Sequence, residues 1–337
     1  APAPAPAPDG SKGKTRLVML LSVLAVSPDA MCVRFCTEAG VDSTCILVWK
    51  MVFTCVLVGS FSALRAGGAR ALLANLGIAP CHTFALVMCQ MAVNLGFTLA
   101  LTLASAAKVL LLLSLNPLWS ALLGSVALKE VLPCRTVCAL STALLGIALI
   151  YVPVIATGRE ADAGGADESL GDALAFTAGV GLALSVTVIR CASFRAPTAN
   201  LEGASALSAA CTALVFCAAK RFTGIMPEDA GFDAGRPVWQ FWLVIFADAA
   251  CVSALYVALS WVPSRIPGPE VGLIMLLEVV MGPFWVFLAY GDVPAGWTLL
   301  GGGVLLVALA GHELVALRVA RRGGASGAAR AALLGGD

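Results

Sequence analysis

The stretch IMLLEVVMGPFWV, residues 274–286, contains a single charged residue, Glu278, in a run that is otherwise apolar. No other charged residue occurs between Val271 and Tyr290. A carboxylate exposed to hydrocarbon is costly, so Glu278 is expected to face a polar cavity or a partner. Because a low dielectric favours the neutral form of a carboxyl group, Glu278 is a candidate to bind and release a proton, or to hold a cation.

Lys50 and Asp248 are two further charged residues within apolar segments. At 1.5 Å per helical residue, Glu278 and Asp248 lie about 15 Å into their segments and Lys50 about 10 Å. Lys50 with Asp248 or Glu278 can equally form a buried ion pair that fixes the helices and never meets a substrate. Both interpretations stay open.

Neutral polar residues lie at similar depths: Asn116 beside Pro117, and Asn94 and Gln90 in the preceding segment. They are candidates to bind a substrate or to hydrogen-bond between helices. A proline leaves a carbonyl one turn earlier without its hydrogen bond, so helix breaks at Pro117 and Pro283 would offer backbone acceptors. Tryptophans are candidate walls for apolar or cationic groups, with packing as the alternative, and these are Trp49, Trp119 and Trp285.

The composition is that of an integral membrane protein. The 337 residues are 60% hydrophobic and 12% charged, and the mean hydropathy is +0.94. A soluble protein would be about one quarter charged, so this chain lacks the surface that keeps a globule in water. The net charge of +1 comes without a basic face, and a nucleic-acid partner is therefore not expected.

Neither metal chemistry nor catalysis is predicted. The pairs Cys32/Cys36 and Cys134/Cys138 have the helical i, i+4 spacing that could hold a soft metal, but cysteine in apolar segments more often serves as a small apolar residue. The sequence has no phosphate-binding Walker A motif and no nucleophile–base arrangement. We expect no cofactor, no metal and no enzymatic activity.

About 20 apolar residues cross a bilayer core, and ten such spans are predicted. They are 17–36, 43–64, 80–103, 105–128, 134–154, 170–190, 201–219, 238–262, 268–290 and 296–316. A tight hairpin is expected at Ala104–Ser105.

The segments outside these spans are predicted to be a disordered Ala/Pro-rich leader (1–16), a linker loop (155–169) and a basic cytoplasmic tail (317–337). The leader and the first span also resemble a signal peptide, but the apolar stretch resumes after Ser27-Pro28-Asp29. Since residue 1 is alanine, the chain is expected to be trimmed or a fragment.

An even number of spans puts both termini on one side of the membrane. The loops on that side carry most of the lysines and arginines, among them Arg65, Arg70, Lys129, Arg135, Arg190, Arg195 and Arg265. By the positive-inside rule, both termini are predicted to be cytoplasmic. The sequence does not indicate which membrane holds the protein.

The two halves of the chain resemble one another. ALKEVLPCRTVCAL after span four is similar to AYGDVPAGWTLLGG after span nine, and spans four and nine contain Pro117 and Pro283. Each half has five spans, so the second half must insert upside down relative to the first. Inverted repeats with proline-interrupted helices at matching positions are typical of secondary transporters.

Several stretches resemble a known family. ALTLASAAKVLLLLSLNPLWSALLGSVALKEVLPCRTVCALSTALLGIALI and PGPEVGLIMLLEVVMGPFWVFLAYGDVPAGWTLLGGGVLLVALAGHEL look like the ends of the two repeats of EamA-like transporters in the drug/metabolite transporter superfamily. SPDAMCVRF and VWKMVF are similar to the family's first two helices, although Lys50 stands where arginine is expected. The resemblance implies an all-α membrane protein of ten helices in two inverted five-helix repeats, residues 17–154 and 170–316, with a central cavity open alternately to either side.

The predicted function is secondary transport, by export or exchange, of a small polar metabolite such as an amino acid. A proton gradient or exchange would drive it, with Glu278 as the group that holds a proton or a cation. The alternative is a sugar-phosphate or nucleotide-sugar antiporter, which would need cationic residues to hold phosphate. The candidate cations are Lys50 and Lys108, and the two central acids, Asp248 and Glu278, offset their charge, which argues against a phosphorylated substrate. A multi-span membrane enzyme or a receptor is the third hypothesis. The expected partners are a small-molecule substrate and the lipid bilayer, and a homodimer is compatible with the sequence.

Overall fold

The chain folds into α-helices. The computed structural model describes residues 9–103, 106–129, 132–156, 166–196, 199, 201–221, 237–291, 293, 295–312 and 314–315, and within these ranges it contains no β-strand. The helices are α1 (Asp9–Val26), α2 (Asp29–Glu38), α3 (Ser43–Ala66), α4 (Ala69–Leu76), α5 (Pro80–Leu103), α6 (Ala106–Ser114), α7 (Asn116–Ala127), α8 (Cys134–Ala156), α9 (Ala166–Arg195), α10 (Glu202–Ala219), α11 (Trp239–Trp261), α12 (Gly268–Met275), α13 (Leu277–Tyr290) and α14 (Gly296–His312). A 3₁₀ turn, Val262–Ser264, follows α11.

Nine helical segments in the described part of the chain are long and apolar enough to cross a membrane. They match predicted spans one to nine to within a few residues, and these are Gly13–Glu38, Ser43–Ala66, Pro80–Ala100, Val109–Ala127, Cys134–Tyr151, Ser169–Arg195, Glu202–Ala219, Trp239–Ser264 and Gly268–Tyr290. The chain is thus an integral membrane protein with many spans. α14 is apolar but shorter, so the tenth span stays a prediction.

The predicted segments outside the spans are only partly described. α1 already begins at Asp9, so the helix extends into the predicted leader, and residues 1–8 lie outside the described part. α1 packs against α11, α12 and α13, which makes it part of the bundle. α9 begins at Ala166, within the predicted linker. The predicted hairpin at 104–105 and the tail at 317–337 fall outside the described residues.

Three of the spans are broken into two half-helices. The first span is interrupted at Ser27–Pro28, between α1 and α2. The fourth is interrupted at Leu115, between α6 and α7, and Pro117 occupies the first turn of α7. Proline is tolerated there because the amide hydrogens in the first turn of a helix have no hydrogen-bond acceptor within the helix, so none is lost.

The predicted break at Pro283 is wrong, because Pro283 lies inside α13 and the ninth span is interrupted at Leu276. At that position the amide of Leu276 lies 3.2 Å from the carbonyl oxygen of Gly272, the α-helical spacing, and equally 3.2 Å from that of Leu273, the tighter spacing of a 3₁₀ turn. Pro283 does not break the helix, because neighbouring turns can accommodate the one backbone hydrogen bond that a proline removes. Since the break is at Leu276, it lies beside Glu278.

The spans pack in a regular order. α3 packs against α10, which pairs spans two and seven, and α7 packs against α12, which pairs spans four and nine. α5 packs against α9, pairing spans three and six, and α1 packs against α11, pairing spans one and eight. If spans one to four are exchanged with spans six to nine, the same four pairs result: the pair of spans three and six becomes that of spans eight and one, and the other two pairs map onto themselves.

α8 and α14 meet at two glycines, Gly146 and Gly301. A Cβ atom added to Gly301 would lie 2.5 Å from the carbonyl oxygen of Gly146, and one added to Gly146 would lie 2.9 Å from the carbonyl oxygen of Gly301. Real Cβ atoms essentially never approach an oxygen this closely. The two backbones are therefore in direct contact, and each glycine permits the approach of the other helix.

We expect Gly301→Ala to lower the melting temperature of the protein in detergent, because the new methyl group forces α8 and α14 apart. Overpacking of this kind costs about 1–3 kcal/mol. Gly303→Ala on the same helix is the matched control, since a Cβ there meets no atom within 4 Å. Equal melting temperatures for the two variants would contradict the direct backbone contact.

Candidate functional site

A cavity of about 730 Å³ lies where the three broken helices converge. Residues beside each break line it: Ser27 and Asp29 at the first, Asn116 at the second, and Glu278 at the third. Other helices complete the wall with large side chains, which are Phe97 of α5, Tyr151 of α8 and Leu182 of α9. The lining is mainly apolar, with polar groups at the helix breaks.

The half-helices α2, α7 and α13 all begin at this cavity. The N-terminus of a helix carries a partial positive charge and amide hydrogens without helical partners, so it stabilises negative charge nearby. Asp29 occupies the first turn of α2, and Glu278 occupies the first turn of α13. Each carboxylate of the cavity therefore lies where a helix start offsets part of the cost of its burial.

Glu278 faces the cavity, as the sequence predicts for a functional carboxylate. Among the described residues it has neither a hydrogen-bonding partner nor an ion-pair partner. The predicted alternative of a Lys50–Glu278 pair is therefore not found. A carboxylate oriented toward an open cavity is accessible to a proton, a cation or a substrate amine.

Lys50 instead lies between two aspartates. Its Nζ atom is 3.1 Å from Oδ2 of Asp248 and also donates to Oδ1 of Asp29. The side chains of Lys50 and Asp248 are 9% and 1% exposed. The predicted Lys50–Asp248 pair is thus present, and Asp29, which lines the cavity, extends it into a three-residue cluster that joins α2, α3 and α11.

Asn116 connects two of the helix breaks. Its Nδ2 atom donates to the sulfur of Met275 over 3.9 Å, and its Oδ1 atom accepts a hydrogen bond of 3.2 Å from Ser120. Asn116 is buried, and both Asn116 and Met275 line the cavity. The side chain therefore holds α7 against α12 at the cavity wall. The two prolines that were predicted as helix breaks, Pro117 and Pro283, also line the cavity.

Gln90 and Asn94 belong to a different part of the bundle. Gln90 donates to Ser205 over 3.1 Å, and Asn94 accepts a hydrogen bond of 3.0 Å from the hydroxyl of Tyr256. Asn94 also lies 3.5 Å from Thr212. These bonds join α5 to α10 and α11 beside a separate pocket of only about 30 Å³. This geometry matches the prediction that Gln90 and Asn94 form hydrogen bonds between helices.

The three candidate tryptophans are absent from the described lining of the cavity. Trp49 packs edge-on against Trp242 with 4.7 Å between ring centroids, and Trp119 packs in the same way against Phe176 at 5.2 Å. The indole nitrogen of Trp285 donates a hydrogen bond of 2.7 Å to Ser27. Trp285 therefore ties α13 to the break between α1 and α2.

Two charged residues of the cavity wall were missed at the sequence level. Asp29 had been interpreted only as part of a break, although an aspartate beside a proline within an apolar run was an available signal. Arg34 is near the end of the first predicted span, where a charged residue gives no signal for a cavity. It lines the cavity, donates to Glu38 over 2.8 Å and lies 4.3 Å from the ring centroid of Tyr290.

An ionic cluster joins the helices at the opposite end of the bundle. Glu270 of α12 lies 2.7 Å from Arg16 of α1 and 3.4 Å from Arg135 of α8, and its side chain is 3% exposed. Nearby, Arg190 of α9 donates to the carbonyls of Pro263 and Ile266. The cavity lining extends along α2 and α13 away from this cluster. No sequence pattern had indicated the cluster.

Comparison with known proteins supports the same fold. Residues 14–152 match the model of the EamA-like transporter family. A crystal structure 19% identical to this chain shares its fold with a TM-score of 0.67, and the match covers 91% of this chain and 99% of the other. No curated protein matches the chain. The match over residues 14–152 thus confirms, for that part of the chain, the resemblance to EamA-like transporters seen in the sequence.

Proposed function

We propose that the protein is a secondary active transporter of a small polar metabolite such as an amino acid. The observation that carries the proposal is the cavity of about 730 Å³ at three helix breaks, lined by a carboxylate, Glu278, that has no partner among the described residues. Transporters of this general kind bind substrate near the middle of the membrane, where broken helices present helix ends and unpaired backbone groups.

Two inverted five-helix repeats, 17–154 and 170–316, form the proposed architecture. The packing supports it, because the pairs α3–α10 and α7–α12 join spans five places apart. The glycine contact between α8 and α14 adds the fifth and tenth positions. A two-fold axis in the membrane plane would relate such pairs. With the positive-inside rule, this arrangement has both termini in the cytoplasm.

Alternating access is the proposed transport cycle. The cavity extends toward Arg34 and Val286, while the Glu270 cluster joins α1, α8 and α12 at the other end. On the proposed topology the cavity therefore faces the outside and the ionic cluster closes the cytoplasmic side. Opening the cytoplasmic side would require Glu270 to separate from Arg16 and Arg135.

The charges of the cavity favour a zwitterionic or cationic metabolite. Glu278 offers a carboxylate to an amine, and Arg34, which also donates to Glu38, offers its guanidinium group to a carboxylate, whereas Asp29 is already paired with Lys50. Apolar residues between them would accommodate a hydrocarbon side chain. A phosphorylated substrate, the alternative, is less well served, because Lys50 is held between Asp29 and Asp248. The side chain of Lys108 lies outside the described part.

The cavity is tested by thiol labelling. In a chain whose twelve native cysteines are replaced, we expect Gly282→Cys to react with a membrane-impermeant thiol reagent added from outside. Gly282 lines the cavity, and a Cβ there meets no atom within 4 Å, so the new side chain fits. Thiols react as thiolates, which form in water and not in hydrocarbon.

Val307→Cys is the control, because Val307 is 70% exposed on the lipid-facing side of α14 and should stay unlabelled. Each solute of an amino-acid and amine panel is then tested for protection of Gly282→Cys. Protection by one solute would support a substrate site. Equal inertness of both cysteines would argue against an aqueous cavity, and labelling that no solute slows would argue against substrate binding there.

A further inference from the structure

A second cavity, of about 440 Å³, lies on the outer surface of the bundle between α1, α3 and α11. It is separate from the central cavity and shares none of that cavity's lining residues. Small apolar side chains form part of its wall, including Val18 of α1 and Ala254 and Val257 of α11. From Ala254 to Trp261 the groove follows α11 for about 10 Å along the helix axis.

Two arginines stand at one end of this groove. Arg65 lies in the last turn of α3, and Arg265 directly follows the 3₁₀ turn after α11. Each extends over an aromatic ring: Arg65 lies 5.8 Å from the centroid of Phe61, and Arg265 lies 4.9 Å from that of Trp261. The groove thus has an apolar body with a cationic and aromatic rim.

The charge at the rim is positive. Arg65 is paired with Glu202, whereas Arg265 is exposed and has no ion pair within the described part of the chain. The surface around the groove is apolar, with Leu21 55% exposed and Leu64 82% exposed. In a protein that spans the membrane, such a surface faces lipid tails, and the rim with its arginines and tryptophan lies at the level of the headgroups.

We propose that this groove binds an anionic phospholipid, with one acyl chain along Val18, Ala254 and Val257 and the headgroup phosphate against Arg265. Arginine binds phosphate through two parallel N–H groups, and basic pockets between membrane helices on the cytoplasmic side bind anionic headgroups. On the proposed topology, Arg65 and Arg265 are on that side. The occupant is a lipid because the apolar groove continues directly from the cationic rim.

The test uses the full chain purified in detergent and titrated with dioleoyl phosphatidylglycerol or dioleoyl phosphatidylcholine, with bound lipid counted by native mass spectrometry. We expect the wild type to retain phosphatidylglycerol in preference to phosphatidylcholine. Arg265→Gln should weaken phosphatidylglycerol binding about fivefold, since one arginine near a membrane surface contributes about that factor. Arg70→Gln, an exposed arginine of α4 outside the groove, is the matched control and should keep the preference.

Two further measurements distinguish binding of a whole lipid from binding of free phosphate and from non-specific binding of acyl chains. Ala254→Trp fills the groove while both arginines remain, and it should reduce phosphatidylglycerol binding. Excess inorganic phosphate should not displace the lipid. Equal binding of both lipids by the wild type would overturn the proposal, as would an unchanged preference in Arg265→Gln or displacement by phosphate alone. Arg65→Gln is avoided, because it would leave the buried Glu202 without its arginine.

Discussion

Glu278→Gln is expected to abolish accumulation of substrate against its gradient while exchange of substrate across the membrane continues. Glutamine has nearly the same size and hydrogen-bonding capacity as glutamate but cannot carry a proton between the two sides. A coupling of one proton per substrate, with a gradient of about one pH unit, supports up to about tenfold accumulation. In proteoliposomes the variant should bring the internal substrate only to the external concentration.

The same substitution separates coupling from structure. Because Glu278 has no ion-pair partner among the described residues, Glu278→Gln should leave the melting temperature in detergent unchanged or slightly higher. Glu278→Asp is the matched variant, since it keeps an ionisable group in the cavity and should retain some accumulation. A strongly lowered melting temperature for Glu278→Gln, or accumulation equal to that of the wild type, would contradict the prediction that Glu278 carries the coupled proton.

Lys50→Met is expected to be among the most destabilising single substitutions in the protein. It leaves two carboxylates, Asp29 and Asp248, facing each other without their cation, and Asp248 is almost fully buried. Removing one partner of a buried ion pair costs about 3–5 kcal/mol. The melting temperature of the purified variant should fall markedly, and adding Asp248→Asn should recover part of the loss.

Lys220→Met offers the surface counterpart of the same experiment. Lys220 lies 2.6 Å from Asp42, but the two side chains are 44% and 39% exposed. Partial burial raises the pKa of Asp42, yet hydrogen bonds from Lys220 and from the amide of Thr44 hold that pKa below its ordinary value. Exposed pairs contribute about 0–1 kcal/mol, so this variant should melt near the wild type. Comparable losses in both variants would mean that the Lys50 cluster is not buried.

The sequence was most informative where a polar residue stands alone in an apolar run. Glu278 and Asn116 were identified in this way, because hydrocarbon leaves few places for such groups, and both line the central cavity. Spans one to nine followed from the length of apolar runs. These inferences need only distance along the chain and the cost of transferring polar groups into lipid.

The features that the sequence did not predict depend on which way a side chain points from its helix, or on contacts between distant parts of the chain. Gln90 and Asn94 were predicted from their distance along the span, but their side chains bond to α10 and α11. Each residue turns the side chain by about 100° around the helix, so distance along the span does not fix its direction. Pro283 was a misleading signal, since membrane helices tolerate proline. The Glu270 cluster joins residues far apart in sequence, Arg16 among them, so no local pattern could indicate it.

The contact between Gly146 and Gly301 constrains how the bundle can move. Where side chains separate two helices, a change of rotamer can alter the distance between them. At this crossing the backbones touch, so the closest approach of the helices is set by the van der Waals radii of backbone atoms. A rocking motion that preserves this contact would pivot about it, and the displacement would grow with distance from it.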